Sequence, residues 1–212
     1  MPELIYNTGE EQDIPIPEGV TIPIHLIGDS HIHMLSYTLP KVFAFHGFVS
    51  HTAWAIGKGE DGNYIRGILP LIPEGDRVLI IFGELDCRHY VPRLAKERNE
   101  TIESVISSIM DLYTNNTLRL LHSRYKVCAA GPYVCPEDLS HVNPWEEILE
   151  AKLLFNDKLK RFCGEQGILY IPIIEEVIKK EWHKQPQGTY FNDSSHLGPS
   201  IIPFILRELV GF

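Results

Sequence analysis

The chain has 212 residues, a formal net charge of −9, 44% hydrophobic residues and 10% aromatic residues. This length suits one domain with a substantial core, and the composition is that of a globular protein. The net negative charge and the scattered lysines and arginines argue against a nucleic-acid partner, because phosphate contacts need clustered cations.

The first 20 residues are acidic and contain several prolines, which is typical of neither a signal peptide nor a transit peptide. We predict an extended N-terminal arm over residues 1–20 and a single domain over 21–212. The sequence has no apolar run of about 18 residues, so we expect no membrane partner. Its four cysteines lack the spacing of metal ligands. We therefore predict reduced thiols, a cytoplasmic protein and no cofactor.

Strand and helix patterns alternate along the chain. Short apolar runs predict β-strands within residues 21–28, 41–47, 77–86, 125–133 and 167–174. Apolar stripes at helical spacing predict helices within 99–124 and 144–167, and a last helix within 198–212. Strands that alternate with helices favour βαβ units. We therefore predict a flavodoxin-like three-layer α/β/α sandwich with a mostly parallel sheet of about five strands.

Three polar clusters follow predicted strands or precede the last helix. They read Gly-Asp-Ser-His-Ile-His (28–33), Gly-Glu-Leu-Asp-Cys-Arg-His (83–89) and Asn-Asp-Ser-Ser-His (192–196). In parallel α/β sheets, ligands bind at the carboxyl ends of the strands. The sequence therefore predicts a functional site at this edge.

The first cluster is compatible with a metal-dependent hydrolase. Asp29, His31 and His33 alternate, and alternate residues of an extended segment point the same way. A carboxylate and two imidazoles in that arrangement can bind a metal ion. No further metal-binding motif follows in the sequence, so this reading stays an alternative, and we predict no metal.

The same cluster is compatible with serine catalysis. Ser30 would be the nucleophile, which needs a general base because a hydroxyl is a poor nucleophile at neutral pH. His196 could take the proton from Ser30, and Asp193, three residues earlier, could orient the imidazole. Asp-x-x-His is a weak motif alone, since it also fits a capping loop, but it gains specificity when paired with Gly-Asp-Ser.

These two motifs resemble those of SGNH, or GDSL-type, serine hydrolases. Gly28-Asp29-Ser30 resembles the family's first block, and Asp193-Ser194-Ser195-His196 resembles its last. The strings Gly-Asp-Ser-His and Gly-Glu-Leu-Asp-Cys-Arg are similar to a branch with GDSH and GE(I/L)DCR blocks. The resemblance implies a flavodoxin-like fold, an ester-cleaving reaction and a triad of Ser30, His196 and Asp193.

The resemblance also implies an oxyanion hole. The second block supplies a glycine amide, for which Gly57 is our candidate, together with the amide of Ser30. The third block usually reads Gly-x-Asn-Asp, but here it is Gly83-Glu84-Leu85-Asp86, which lacks the asparagine donor. Removing one such donor can cost about 10²–10³-fold in rate. Arg88 is the nearest replacement candidate.

The charged residues of the first and second clusters have two possible roles. They could contact substrate, since a guanidinium can bind a carboxylate or phosphate bidentately, or they could form a local salt bridge. The candidates are Asp29, His31, Glu84, Asp86 and Arg88. We predict an esterase acting on a small-molecule or carbohydrate ester, such as an O-acetyl group. A catalytically degenerate glycan- or protein-binding domain remains the second alternative, because of the missing asparagine.

Overall fold

The structure is a computed structural model. It describes residues 16–20, 23–32, 43–47, 51–59, 62–136, 143–185, 191 and 196–212. The predicted arm over residues 1–20 lies mostly outside these ranges.

Five parallel strands form one sheet in the order β2-β1-β3-β4-β5. This is the flavodoxin-like strand order. The predicted fold class and strand number are confirmed. The strands are β1 (Ile24–Gly28), β2 (Phe43–Gly47), β3 (Arg77–Ile81), β4 (Lys126–Ala130) and β5 (Leu169–Tyr170).

The central strand β3 is apolar because both of its faces are buried. Val78 and Ile80 belong to one hydrophobic core, and Leu79 and Ile81 belong to a second core on the opposite face. Successive side chains of a strand point to opposite sides of the sheet, so a strand covered on both sides needs a continuous apolar run.

Helices cover both faces of the sheet, which makes the three layers. Residues of α1 to α6 contribute to the first core, and residues of α7 and α8 to the second. The helices are α1 (Ala53–Lys58), α2 (Gly62–Ile68), α3 (Val91–Arg98), α4 (Ile102–Tyr113), α5 (Arg119–His122), α6 (Trp145–Gln166), α7 (Ile173–Lys179) and α8 (Ile202–Glu208). Two π-helical segments, Asp86–Tyr90 and Thr114–Leu118, lead into α3 and α5.

Two predicted strands are shorter than their apolar runs. The run over 77–86 leaves the sheet after Ile81 and becomes helical, and the run over 167–174 leaves it after Tyr170, with α7 beginning at Ile173. A short apolar run does not by itself distinguish a strand from a buried helix. The short helices α1, α2, α3 and α7 were not predicted, because segments of six to eight residues show too little of the helical period.

No helix in the described part of the chain is long and apolar enough to cross a membrane. All four cysteines are buried free thiols.

Candidate active site

A sharp turn at the end of β1 presents Ser30. Ser30–Ile32 form a single 3-10 turn, in which the Ile32 amide donates to the Asp29 carbonyl oxygen at 3.1 Å. A Cβ atom at Gly28 would collide with the Ile32 side chain and with the Ile81 carbonyl oxygen. Glycine therefore lets the turn fold back tightly at the carboxyl end of the strand, where Ser30 is partly exposed to solvent.

His196 lies against this turn. Its Nε2 is 3.3 Å from Ser30 Oγ, although the two residues are 166 positions apart in sequence. The neighbouring residue Leu197 is anchored twice, by an isolated bridge to Phe191 and by its amide, which donates to the Tyr133 hydroxyl at 3.1 Å. The structure thus brings together a hydroxyl and an imidazole. Asp193 lies outside the described residues.

Behind this pair, Asp29 and His31 are bound to each other. Asp29 Oδ1 accepts from both the amide and Nδ1 of His31, each at 2.9 Å. His31 Nε2 lies 3.5 Å from Glu84 Oε2, and the His31 ring centroid is 4.6 Å from that of His196. The first two polar clusters of the sequence therefore meet beneath the Ser30–His196 pair.

Three basic side chains, those of His31, Arg88 and Lys152, surround Glu84. Arg88 binds it in a bidentate manner, with Nε and Nη2 donating at 2.7 Å and 3.0 Å. Lys152 Nζ lies 3.5 Å from Glu84 Oε1, the oxygen that Arg88 Nε also contacts. Burial alone raises the pKa of Glu84, but His31, Lys152 and Arg88 outweigh it and lower that pKa to about 2. Glu84 is therefore a buried carboxylate, stabilised by opposite charge.

Most of the residues predicted to contact substrate are buried. The relative exposures of Asp29, His31, Glu84 and Asp86 are 1%, 5%, 2% and 0%. Their side chains face one another or the backbone, which argues against direct contact with substrate. The Arg88 side chain is 17% exposed, but its guanidinium is bound to Glu84. The salt-bridge interpretation of Arg88 fits this arrangement better than the role of oxyanion donor.

Asp86 holds the start of α1. Its two carboxylate oxygens accept the amides of Ala53 and Trp54 at 2.8 Å and 3.1 Å. Burial raises the pKa of Asp86 to about 7, against the opposing effect of these two amides. A carboxylate at this position satisfies amides that the first turn of a helix leaves without an intrahelical partner. Asp86 therefore ties the second cluster to the segment that follows β2.

The structure gives Gly57 a different role from the predicted one. Gly57 lies in the last turn of α1, where an amide bonds within its own helix. A Cβ atom there would lie 2.7 Å from the Tyr113 nitrogen and 2.8 Å from the Leu112 carbonyl carbon. The close approach of two helix backbones accounts for a glycine at this position, and it argues against the predicted role of Gly57 as an oxyanion donor.

We expect Gly57→Ala to destabilise the protein by about 1–3 kcal/mol, because the added methyl group would push α1 and α4 apart. Gly67→Ala is the matched control, since Gly67 is also helical and a Cβ there meets nothing within 4 Å. That control should be neutral or stabilising by about 0.4–1 kcal/mol. Urea unfolding of both variants checks this, and equal stabilities would contradict the close-packing role.

Sequence reasoning missed two residues of this region. Lys152 is 1% exposed and lies on the buried stripe of α6 among Ile148, Phe155 and Leu159. The sequence did show that Lys152 occupies a position where the helical repeat of this segment otherwise has apolar residues. Gly47 ends β2 and pairs in register with Gly28. The sequence feature that could have indicated Gly47 is its position at the end of an apolar run.

The metal-binding alternative gains no geometric support. The described residues contain no group of three or more His, Cys, Asp or Glu side chains that could hold a metal ion. Asp29 and His31 are hydrogen-bonded to each other. His33 lies outside the described residues.

Comparisons with known proteins add the following. No family model and no curated protein matches the sequence. Solved structures do match. An α/β hydrolase from the metagenome of Lake Arreo, Spain, has a TM-score of 0.57 at 12% identity, covering 88% of this chain and 92% of that one. These matches establish the fold.

Two further matches are esterases or lipases. An acetyl xylan esterase has a TM-score of 0.55 at 12% identity, covering 89% of this chain and 98% of its own. A lipase/acylhydrolase from Enterococcus faecalis has a TM-score of 0.52 at 14% identity, with coverages of 90% and 96%. The chain therefore has the architecture of several ester-cleaving enzymes over nearly its whole length.

Proposed function

We propose that the chain is a serine esterase in which Ser30 is the nucleophile and His196 the general base. The 3.3 Å separation of Ser30 Oγ and His196 Nε2 carries this proposal. The distance is slightly longer than an ideal hydrogen bond, as is common before substrate binds. The position of the pair at the carboxyl edge of a parallel sheet, where such folds bind ligands, supports it further.

In the proposed reaction, His196 takes the hydroxyl proton while Ser30 Oγ attacks the ester carbonyl carbon. The alcohol leaves with that proton, and water then hydrolyses the acyl-enzyme and releases the acid. Asp193 keeps its predicted role of orienting His196. For the oxyanion hole we propose the amides of Ser30 and Gly47, because the register of β1 and β2 sets Gly47 beside Gly28.

The substrate we propose is an O-acyl ester, most simply an acetyl ester, on a carbohydrate or another small molecule. The acetyl xylan esterase among the structural matches supports this choice by analogy of fold. The four buried free thiols support action in the reducing cytoplasm.

Leu85 favours a second candidate. Leu85 occupies the position at which the third block of SGNH hydrolases, the family that the sequence resembles, usually has asparagine. A leucine side chain cannot donate a hydrogen bond to an oxyanion. The second candidate is therefore a domain that retains the Ser30–His196 pair but binds a glycan or a protein partner without turnover.

A fluorophosphonate probe tests the nucleophile. We expect Ser30 Oγ to bond to phosphorus, with fluoride as the leaving group and the proton taken by His196. Mass spectrometry of the digested protein should find the adduct on the peptide that contains Ser30 and find none after His196→Ala. An unmodified Ser30 would contradict the serine mechanism. A modified Ser30 in a protein that cleaves no ester would favour the binding domain.

A further inference from the structure

His31 contacts both members of the proposed catalytic pair. It directly follows Ser30 in the 3-10 turn, and its ring lies 4.6 Å from the His196 ring, centroid to centroid, at an interplanar angle of 35°. The Tyr133 ring also packs against it in a T-shaped arrangement, with the ring centroids 5.6 Å apart. One buried side chain therefore links the turn that carries the nucleophile to the base.

Both ring nitrogens of His31 face carboxylates. Nδ1 is 2.9 Å from Asp29 Oδ1, and Nε2 is 3.5 Å from Glu84 Oε2. If a neutral His31 ring kept the Nδ1–H that faces Asp29, its Nε2 lone pair would lie near Glu84. An imidazolium instead places positive charge near both carboxylates, with Nε2 close to Glu84 but not hydrogen-bonded to it. The His31 amide donates to the same Asp29 oxygen. The charged ring is thereby tied to the turn itself.

The surroundings favour the charged form. Burial alone lowers the pKa of His31, but the carboxylates of Asp29 and Glu84 outweigh it and hold that pKa above its ordinary value, with Lys152 acting in the opposite direction. The charged and titratable groups around this cluster are Asp29 in the turn, Glu84 and Arg88 after β3, Tyr133 and Cys135 after β4, Lys152 in α6, and His196 before α8.

We propose that His31, held as an imidazolium between Asp29 and Glu84, is a positioning residue that sets the Ser30 turn and the His196 ring in their reactive arrangement. The inference rests on the proposed esterase function. Loss of the proton would set a lone pair against Glu84 and loosen the turn. Because small displacements of reacting groups cost rate steeply, this loosening should appear in kcat.

The kinetic test compares the pH dependence of kcat for the wild type and His31→Gln, with p-nitrophenyl acetate as substrate. For the wild type we expect kcat to fall on the alkaline side, as the pH rises through the raised pKa of His31. His31→Gln should lower kcat by about 10–100-fold, leave KM nearly unchanged and remove this fall. His122→Gln, an exposed histidine on α5, is the control and should behave as the wild type.

A second measurement is independent of activity and needs no variant. In the ¹⁵N-histidine NMR titration of the wild type, His31 should keep both ring protons at a pH where an ordinary histidine has lost one. A His31 that titrates as an ordinary histidine would overturn the inference even if the esterase is active. An unchanged kcat and pH profile in folded His31→Gln would also overturn it. A doubly protonated His31 in a protein without turnover would support the buried imidazolium and contradict the esterase proposal alone.

Discussion

Ser30→Ala is expected to lower kcat for p-nitrophenyl acetate hydrolysis by about 10³-fold or more, because no other group replaces the attacking oxygen. Ser30 is half-buried at the edge of the sheet, so removing its hydroxyl group should leave the free energy of unfolding nearly unchanged. Initial rates at saturating substrate, together with urea unfolding of both proteins, give the two values. A variant that keeps more than a tenth of the wild-type kcat would contradict the nucleophile assignment.

The same assay separates the serine mechanism from metal catalysis. Because Ser30 needs no metal ion, we expect hydrolysis by the wild type to survive EDTA. A hydrolase that used Asp29, His31 and His33 as ligands would lose activity on chelation and regain it with zinc or manganese. Chelator-sensitive turnover that persists in Ser30→Ala would establish the metal alternative instead.

Glu84→Gln is expected to cost about 3–5 kcal/mol of unfolding free energy, because it leaves buried cations without their counter-charge. The Glu84 side chain is 2% exposed and faces His31, Arg88 and Lys152. Urea denaturation at neutral pH measures the loss, and circular dichroism shows whether the variant is folded before denaturant is added.

Glu175→Gln is the matched control. Glu175 forms an ion pair with Lys160 at 2.6 Å, shorter than any contact of Glu84, but the two side chains are 55% and 56% exposed. Exposed pairs contribute at most about 1 kcal/mol, because water solvates the separated charges almost as well. If Glu84→Gln cost no more than Glu175→Gln, the buried cluster would have no stabilising role.

A double variant refines this test. Lys152 is buried beside Glu84 and also donates to the Tyr133 carbonyl oxygen at 2.8 Å. Combining Glu84→Gln with Lys152→Met removes one uncompensated cation, so the double variant should lose less stability than the sum of the two single variants. Simple additivity would show that the two charges are not coupled.

The local pattern of the sequence was sufficient to predict the architecture. Alternating apolar runs and helical stripes predicted five parallel strands, and glycine at the end of the first run predicted where β1 stops. The position of His196 just before the last helix, combined with Gly-Asp-Ser after β1, also predicted which two side chains should meet. The period of apolar residues and the glycines that end strands are local properties, so a single sequence shows them.

The tertiary structure decided which charges are buried and what they face. Glu84, Asp86 and Arg88 follow a strand and looked available to substrate, but helices α1 and α6 cover the first two. Lys152 joins them from a distant helix, at 68 positions from Glu84. Burial depends on elements that pack from elsewhere in the chain, and no local pattern reports it.

The two glycines considered for the oxyanion hole, Gly57 from the sequence and Gly47 from the structure, illustrate the same limit. Gly47 and Gly57 both end apolar segments, and the sequence analysis chose only Gly57. Strand register sets Gly47 beside Gly28, whereas helix packing sets Gly57 against Tyr113. A glycine's role follows from which backbone approaches it, and only the folded chain determines that approach.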